Sequence, residues 1–173
     1  MIDEVIQLQY RHEAWAMTKL FDAAEQLTVK QRAIPGHAGH GSIHATLHHV
    51  LEAQQGWFAW FDGSLPVADA LQMTIDPASV SDLATLRAKW EEINSRTMAL
   101  VNVLTDDDLT REMLVQTPWT PDKVVPLWTM LLHVISNGAQ HRSEVATMLT
   151  EHGSSPGLLD LAFYILVPGY DAG

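Results

Sequence analysis

Residues 126–153 read PLWTMLLHVISNGAQHRSEVATMLTEHG, and this stretch decides the fold. Pro126 suits the first position of a helix, where its missing amide hydrogen would have no partner anyway. Gly153 stops the run. Leu127, Met130, Leu131, Val134, Val145, Met148 and Leu149 fall on one apolar stripe at helical spacing. On the same wheel His141 lies about 40° from the centre of the stripe, Asn137 about 80° and His133 about 120°. An inward histidine with an amide one turn earlier forms an i, i+4 pair on a buried face. That spacing lets two side chains share one ion. A lone core histidine satisfied by a carbonyl fits the same positions, so geometry alone leaves both readings open.

Three more helical stretches lie upstream. The first spans about Asp3 to Leu27, with Val5, Leu8, Trp15, Leu20, Ala23 and Leu27 as its apolar positions and no Gly or Pro inside. Thr28 to Ser42 follows as a loop holding Pro35, Gly36, Gly39 and Gly41. Ser42 is placed to cap the second helix, whose stripe is Ile43, Leu47, Val50, Trp57 and Phe61 and whose end is Gly63. Gly56 inside it lowers helix propensity and points to a close approach by a neighbour. The third helix runs from about Ser81 to Leu104, through Leu83, Leu86, Trp90, Ile93, Thr97 and Leu100.

Between these, Asp62 to Val80 carries Gly63, Pro66 and Pro77 and is too long for a tight turn, so it should cross an end of the domain. Residues 110–125 fit either a short hairpin or an irregular lid, with Trp119 as a lid residue. The tail from Pro156 contains LLDLAFYILV, a short apolar helix that has to be covered. The expected fold is therefore all-α over a single domain, residues 1–173. It is a four-helix bundle with a long crossover connection and a short C-terminal helix.

Composition narrows the function. The chain has 173 residues, 47% of them hydrophobic, which is enough for a core without cross-links. It has no cysteine, which removes disulfides, thiolate metal sites and thiol nucleophiles. A net charge of −11 argues against nucleic acid and against an anionic membrane surface. No apolar run approaches the about 20 residues of a membrane span, and MIDEVIQLQY does not resemble a secretory signal. A cytoplasmic location is expected. Six Trp and the apolar tail are much for this bundle to bury alone, so a homodimer is expected.

Nine histidines stand out beside ten Lys and Arg. His44, His48 and His49 all sit on the flanks of the second helix, where periodicity does not choose among them. Each alone reads as a boundary residue more readily than as a ligand. His37 and His40, in the glycine-rich loop, and His152, at a helix end, read as solvent-exposed. No nucleophile elbow or phosphate-binding glycine pattern competes with the histidines.

The segment His133-Val-Ile-Ser-Asn137-Gly-Ala-Gln-His141-Arg142 resembles the fourth-helix signature of the DinB-like family of metal-dependent bundle proteins. Ser42-Ile43-His-Ala-Thr-Leu47-His-His49-Val50, with Glu52, Trp57 and Gly63, is similar to the family's second helix. Trp15-Ala16 and the ending Pro156-Gly157-Leu158-Leu159-Asp160 match as well, so the resemblance covers nearly the whole chain. It implies a divalent ion, zinc or nickel, held by the residues at positions 49, 137 and 141.

In this chain those are His49, Asn137 and His141. The family's usual residue at 137 is histidine, and an amide oxygen is a poorer ligand for either metal. The resemblance thus leaves three outcomes: Asn137 as a weak third ligand, completion by His48, His133, His12 or Glu52, or loss of the metal. It implies a metal-dependent enzyme acting on a small molecule, a thiol-dependent transferase or a hydrolase. The alternative is a non-catalytic bundle serving as a binding module. Arg142 reads as the partner of a helix carboxylate in preference to a substrate anchor.

Overall fold

A computed structural model describes residues 1–36, 40–117 and 120–166. In chain order the elements are α1 (Ile2–Glu25), the short α2 (Val29–Ala33), α3 (Ile43–Phe61), the one-turn α4 (Val67–Ala70), α5 (Leu83–Val101) and the short α6 (Asp106–Thr110). There follow β1 (Glu112–Thr117), β2 (Thr120–Pro126), α7 (Leu127–Glu151) and α8 (Leu161–Leu166), and a 3-10 turn at Pro77–Val80 precedes α5. The four long helices form the expected bundle. Trp119 and His37 lie outside the described residues.

Helix ends follow local chemistry. Ser42 Oγ accepts from the Ala45 amide at 3.1 Å, and Asp82 accepts from Thr85 at 2.8 Å. Gly63 and Gly153, with φ of +80° and +79°, close α3 and α7 in the left-handed conformation that glycine adopts without strain. Pro126 stands one position earlier than expected. It caps α7 with extended backbone, because β2 runs directly into the helix.

The packing order is informative. α1 and α3 each pack against both α5 and α7, so consecutive long helices α1 and α3 sit on a diagonal. One half of the core joins the C-terminal halves of α1 and α7 to the N-terminal halves of α3 and α5, around Phe21, Leu47, Leu51, Leu86 and Leu149. The other half joins the opposite ends, around Ile6, Phe58, Val101, Leu127 and Leu131. Hence α1 runs parallel to α7, and the adjacent pair α3 and α5 also run parallel. A parallel neighbour has to be reached by a connection as long as the helix, which is why residues 62–82 cross over.

That crossover is fastened to α3 by histidines. His44 Nε2 donates to the Val80 carbonyl at 3.0 Å, and His48 Nε2 to the Ile75 carbonyl at 2.9 Å. Glu52 Oε1 accepts from the Ile75 amide at 3.0 Å. At Gly56 the approach is closest: a Cβ there would lie 2.4 Å from the Ala70 carbonyl oxygen. The close neighbour anticipated for Gly56 is thus the crossover backbone.

The region 110–125 takes the hairpin option. β1 and β2 pair antiparallel from Glu112 opposite Pro126 to Thr117 opposite Thr120. The tail turns back along α1, held by Ser154 Oγ on the Ala23 carbonyl and by His12 Nε2 on the Leu159 carbonyl, each at 2.7 Å. Among the described residues, no helix is long and apolar enough to cross a membrane.

Candidate metal centre

Three imidazoles converge at one place: His49 from α3, His141 from α7 and His40 from the loop before α3. Their donor atoms all lie within 4.8 Å of one another. His40 stacks on His49 with ring centroids 3.5 Å apart. His141 stands edge-on to both, at 5.1 and 4.9 Å.

The helix pitch explains one of the three. His141 is 6% exposed, on the inward face where its position on the wheel puts it. His49 faces it across the α3–α7 seam. The family resemblance named these two with Asn137, and Asn137 Nδ2 lies 3.5 Å from His141 Nε2. His40 it did not place here. The ring is exposed, as its loop position suggested, yet the chain reverses at Gly41 (φ +95°) and lays it on His49. The glycines around it were the only signal, since a loop has no period to read.

The other histidines proposed to complete the site do different work. His12 and His48 are committed to backbone carbonyls. His133 is exposed on α7 and meets Trp57 edge-on at 5.2 Å. Glu52 holds the Ile75 amide. Arg142 pairs with Glu13 inside the bundle, as its structural reading required.

The electrostatics suit a cation. Burial, and then the neighbouring His141, lowers the pKa of His40. Burial, then His40 and His141, lowers that of His49. Both rings therefore stay neutral at neutral pH and keep a lone pair for an ion. His141 Nδ1 donates to Glu144 Oε2 at 2.8 Å, which leaves Nε2 turned towards the other rings. Burial opposes ionisation of Glu144, but hydrogen bonds from His141 and Gln140 outweigh it and hold the carboxyl below its usual range.

Three imidazoles are a donor set that zinc or nickel favours. Nitrogens sharing a tetrahedral zinc stand about 3.4 Å apart, so donor atoms already within 4.8 Å need only small ring movements to converge. The residues fit a divalent ion. Beside them opens a cavity of about 420 Å³ lined by His49, Glu52, Trp57, Met73, His133 and Asn137 among others. Such a volume suits a small molecule.

The DinB family model matches residues 1–167. The protein DinB of Bacillus subtilis (strain 168) is 20% identical over 163 residues, covering 91% of this chain and 92% of that protein. Among solved structures, YfiT from Bacillus subtilis superposes with a TM-score of 0.67 at 21% identity, covering 89% of each chain. YfiT is described as a probable metal-dependent hydrolase with an unusual four-helix bundle topology.

Proposed function

The chain belongs to the DinB family, and from that premise we propose that it is a divalent-metal-dependent enzyme acting on a small molecule, a hydrolase of the kind ascribed to YfiT. The observation that carries this reading is the convergence of His40, His49 and His141 at the edge of a 420 Å³ cavity. These three residues would hold the ion. When bound, a divalent ion with an open position acts as a Lewis acid and lowers the pKa of a coordinated water or thiol.

The protein's own groups have definite tasks. Glu144 fixes the tautomer and orientation of His141. Lost solvation and the neighbouring rings lower the pKa of His40 and His49. Trp57 and Met73 give the cavity apolar walls, while Asn137 offers an amide beside His141. The strongest support for a non-catalytic module was the amide at position 137, and His40 supplies the imidazole that position lacks.

The test is metal content followed by turnover. The purified protein should hold about one zinc or nickel per chain. Hydrolysis of small esters and amides should stop on chelation and return when the ion is restored. A chain that keeps no ion after reconstitution would be a binding module instead.

A further inference from the structure

We propose that the cavity beside the three histidines takes a small molecule bearing a cationic amine, held by Glu52 next to Trp57. This rests on the reading of that cavity as the place of reaction. Charge is the first argument. Among the described residues, Glu52 is the only Asp, Glu, Lys or Arg in the cavity lining. The nearest arginine in sequence to the cluster, Arg142, is turned into the bundle and taken by Glu13. The net charge of −11 adds a field that draws cations and repels anions.

Hydrogen bonding is the second argument. Glu52 Oε1 is used by the Ile75 amide. Among the described residues Glu52 Oε2 takes no hydrogen bond; His48 Nδ1 lies 3.8 Å from it, beyond hydrogen-bond range. That leaves Glu52 with a carboxylate oxygen at the cavity that takes no hydrogen bond. An ammonium group, with three donors and no acceptor, satisfies such an oxygen; a carboxylate or phosphate cannot.

Position is the third. Glu52 follows His49 by three residues on α3, so their Cβ atoms lie about 5–6 Å apart on one face. The amine would sit one helical turn from the reacting group, a few bonds away in a short chain. Trp57, Leu71 and Met73 line the cavity for the apolar part of such a molecule.

Calorimetric titration with three probes of similar size tests this: 2-phenylethylamine, 2-phenylethanol and 3-phenylpropionate, on protein as purified and after chelation. The amine should bind at least about tenfold more tightly than the alcohol, and the carboxylate weakest to the metal-free protein. Glu52→Gln keeps an oxygen for the Ile75 amide and should bring the amine to the level of the alcohol. A carboxylate that binds the metal-free protein as well as the amine overturns the proposal. So does an amine affinity untouched by Glu52→Gln, or no amine binding at millimolar concentration. Wild-type protein alone decides the ordering should that variant fail to fold. Metal content on the same sample separates the two ideas: a chain without ion sinks the metalloenzyme, while the probe ordering still judges the amine site.

Discussion

His141 and Glu144 lie three residues apart on α7 and share a 2.8 Å hydrogen bond, Nδ1 to Oε2, at the margin of the histidine cluster. This bond assigns the two ring nitrogens different tasks. One is tethered to the protein and the other is left for an ion. Glu144→Ala should therefore weaken zinc binding about 10- to 100-fold without unfolding the bundle. Competition against a chromophoric chelator measures it, and an unchanged affinity would mean that the carboxylate only solvates the helix.

His40→Ala should reduce zinc affinity as strongly as His49→Ala or His141→Ala, because two imidazoles rarely retain a divalent ion. His48→Ala should not, since that ring is bound to the Ile75 carbonyl. Asn137→His should tighten binding, as position 137 lies one turn before His141 with its amide 3.5 Å from the ring. Parallel titrations in one buffer give all five values. Full affinity in His40→Ala would return the third place to Asn137.

Glu13 gives the bundle a pH dependence of known sign. Burial pushes its carboxyl up to about 7, against the opposing pull of Arg142. A raised folded-state pKa means that the folded chain binds the proton more tightly than the unfolded one. The contribution is complete below about 4.5 and is lost as pH rises through about 7. Wild type should therefore lose stability relative to Glu13→Gln between pH 5 and pH 8. Urea midpoints of the two proteins at both pH values test the slope; any constant offset from Arg142 cancels.

Gly56→Ala should destabilise the fold, although alanine is the better helix former by about 1 kcal/mol. Its Cβ would meet the Ala70 carbonyl oxygen at 2.4 Å, and backbone cannot swing aside as a side chain does. A cost of about 1–3 kcal/mol in urea unfolding is expected. A gain in stability would show that the crossover yields freely.

The apolar α8 has no buried residue: Phe163, Ile165 and Leu166 are 44%, 42% and 76% exposed. We propose that a second copy of the chain covers this face. Sedimentation at micromolar protein should give a mass twice the 19.2 kDa of one chain. Phe163→Glu should shift it towards monomer, and a wild-type monomer would refute the idea.

The bundle was legible because its cause is local and periodic. The stripes of Leu47 to Phe61 and Leu127 to Leu149 repeat at helical spacing, and Ser42, Gly63 and Gly153 mark ends by chemistry that neighbouring residues determine. One of the three clustered histidines was legible for the same reason, since His141 lies on an inward face. His40 was not, because its place depends on how a loop folds against two helices distant in sequence. The flanking histidines His44, His48 and His49 could not be ranked by period. What separates them is the crossover, which occupies two and leaves the third for the cluster. Between hairpin and lid, residues 110–125 stayed undecided because β1 alternates over only six residues, Glu112–Thr117, a signal too short to choose.

The parallel placement of α3 and α5 carries an engineering consequence. One flank of the cavity, Ala70 to Thr74, belongs to the strap that joins those helices, whereas the imidazoles come from α3, α7 and the preceding loop. The strap is pinned just beyond, where Glu52 and His48 grip Ile75. Residues 71–74 can thus be exchanged between two fixed anchors while the reactive groups keep their scaffold. One wall of the cavity can so be reshaped while His49, Glu52 and Trp57 keep their places on α3.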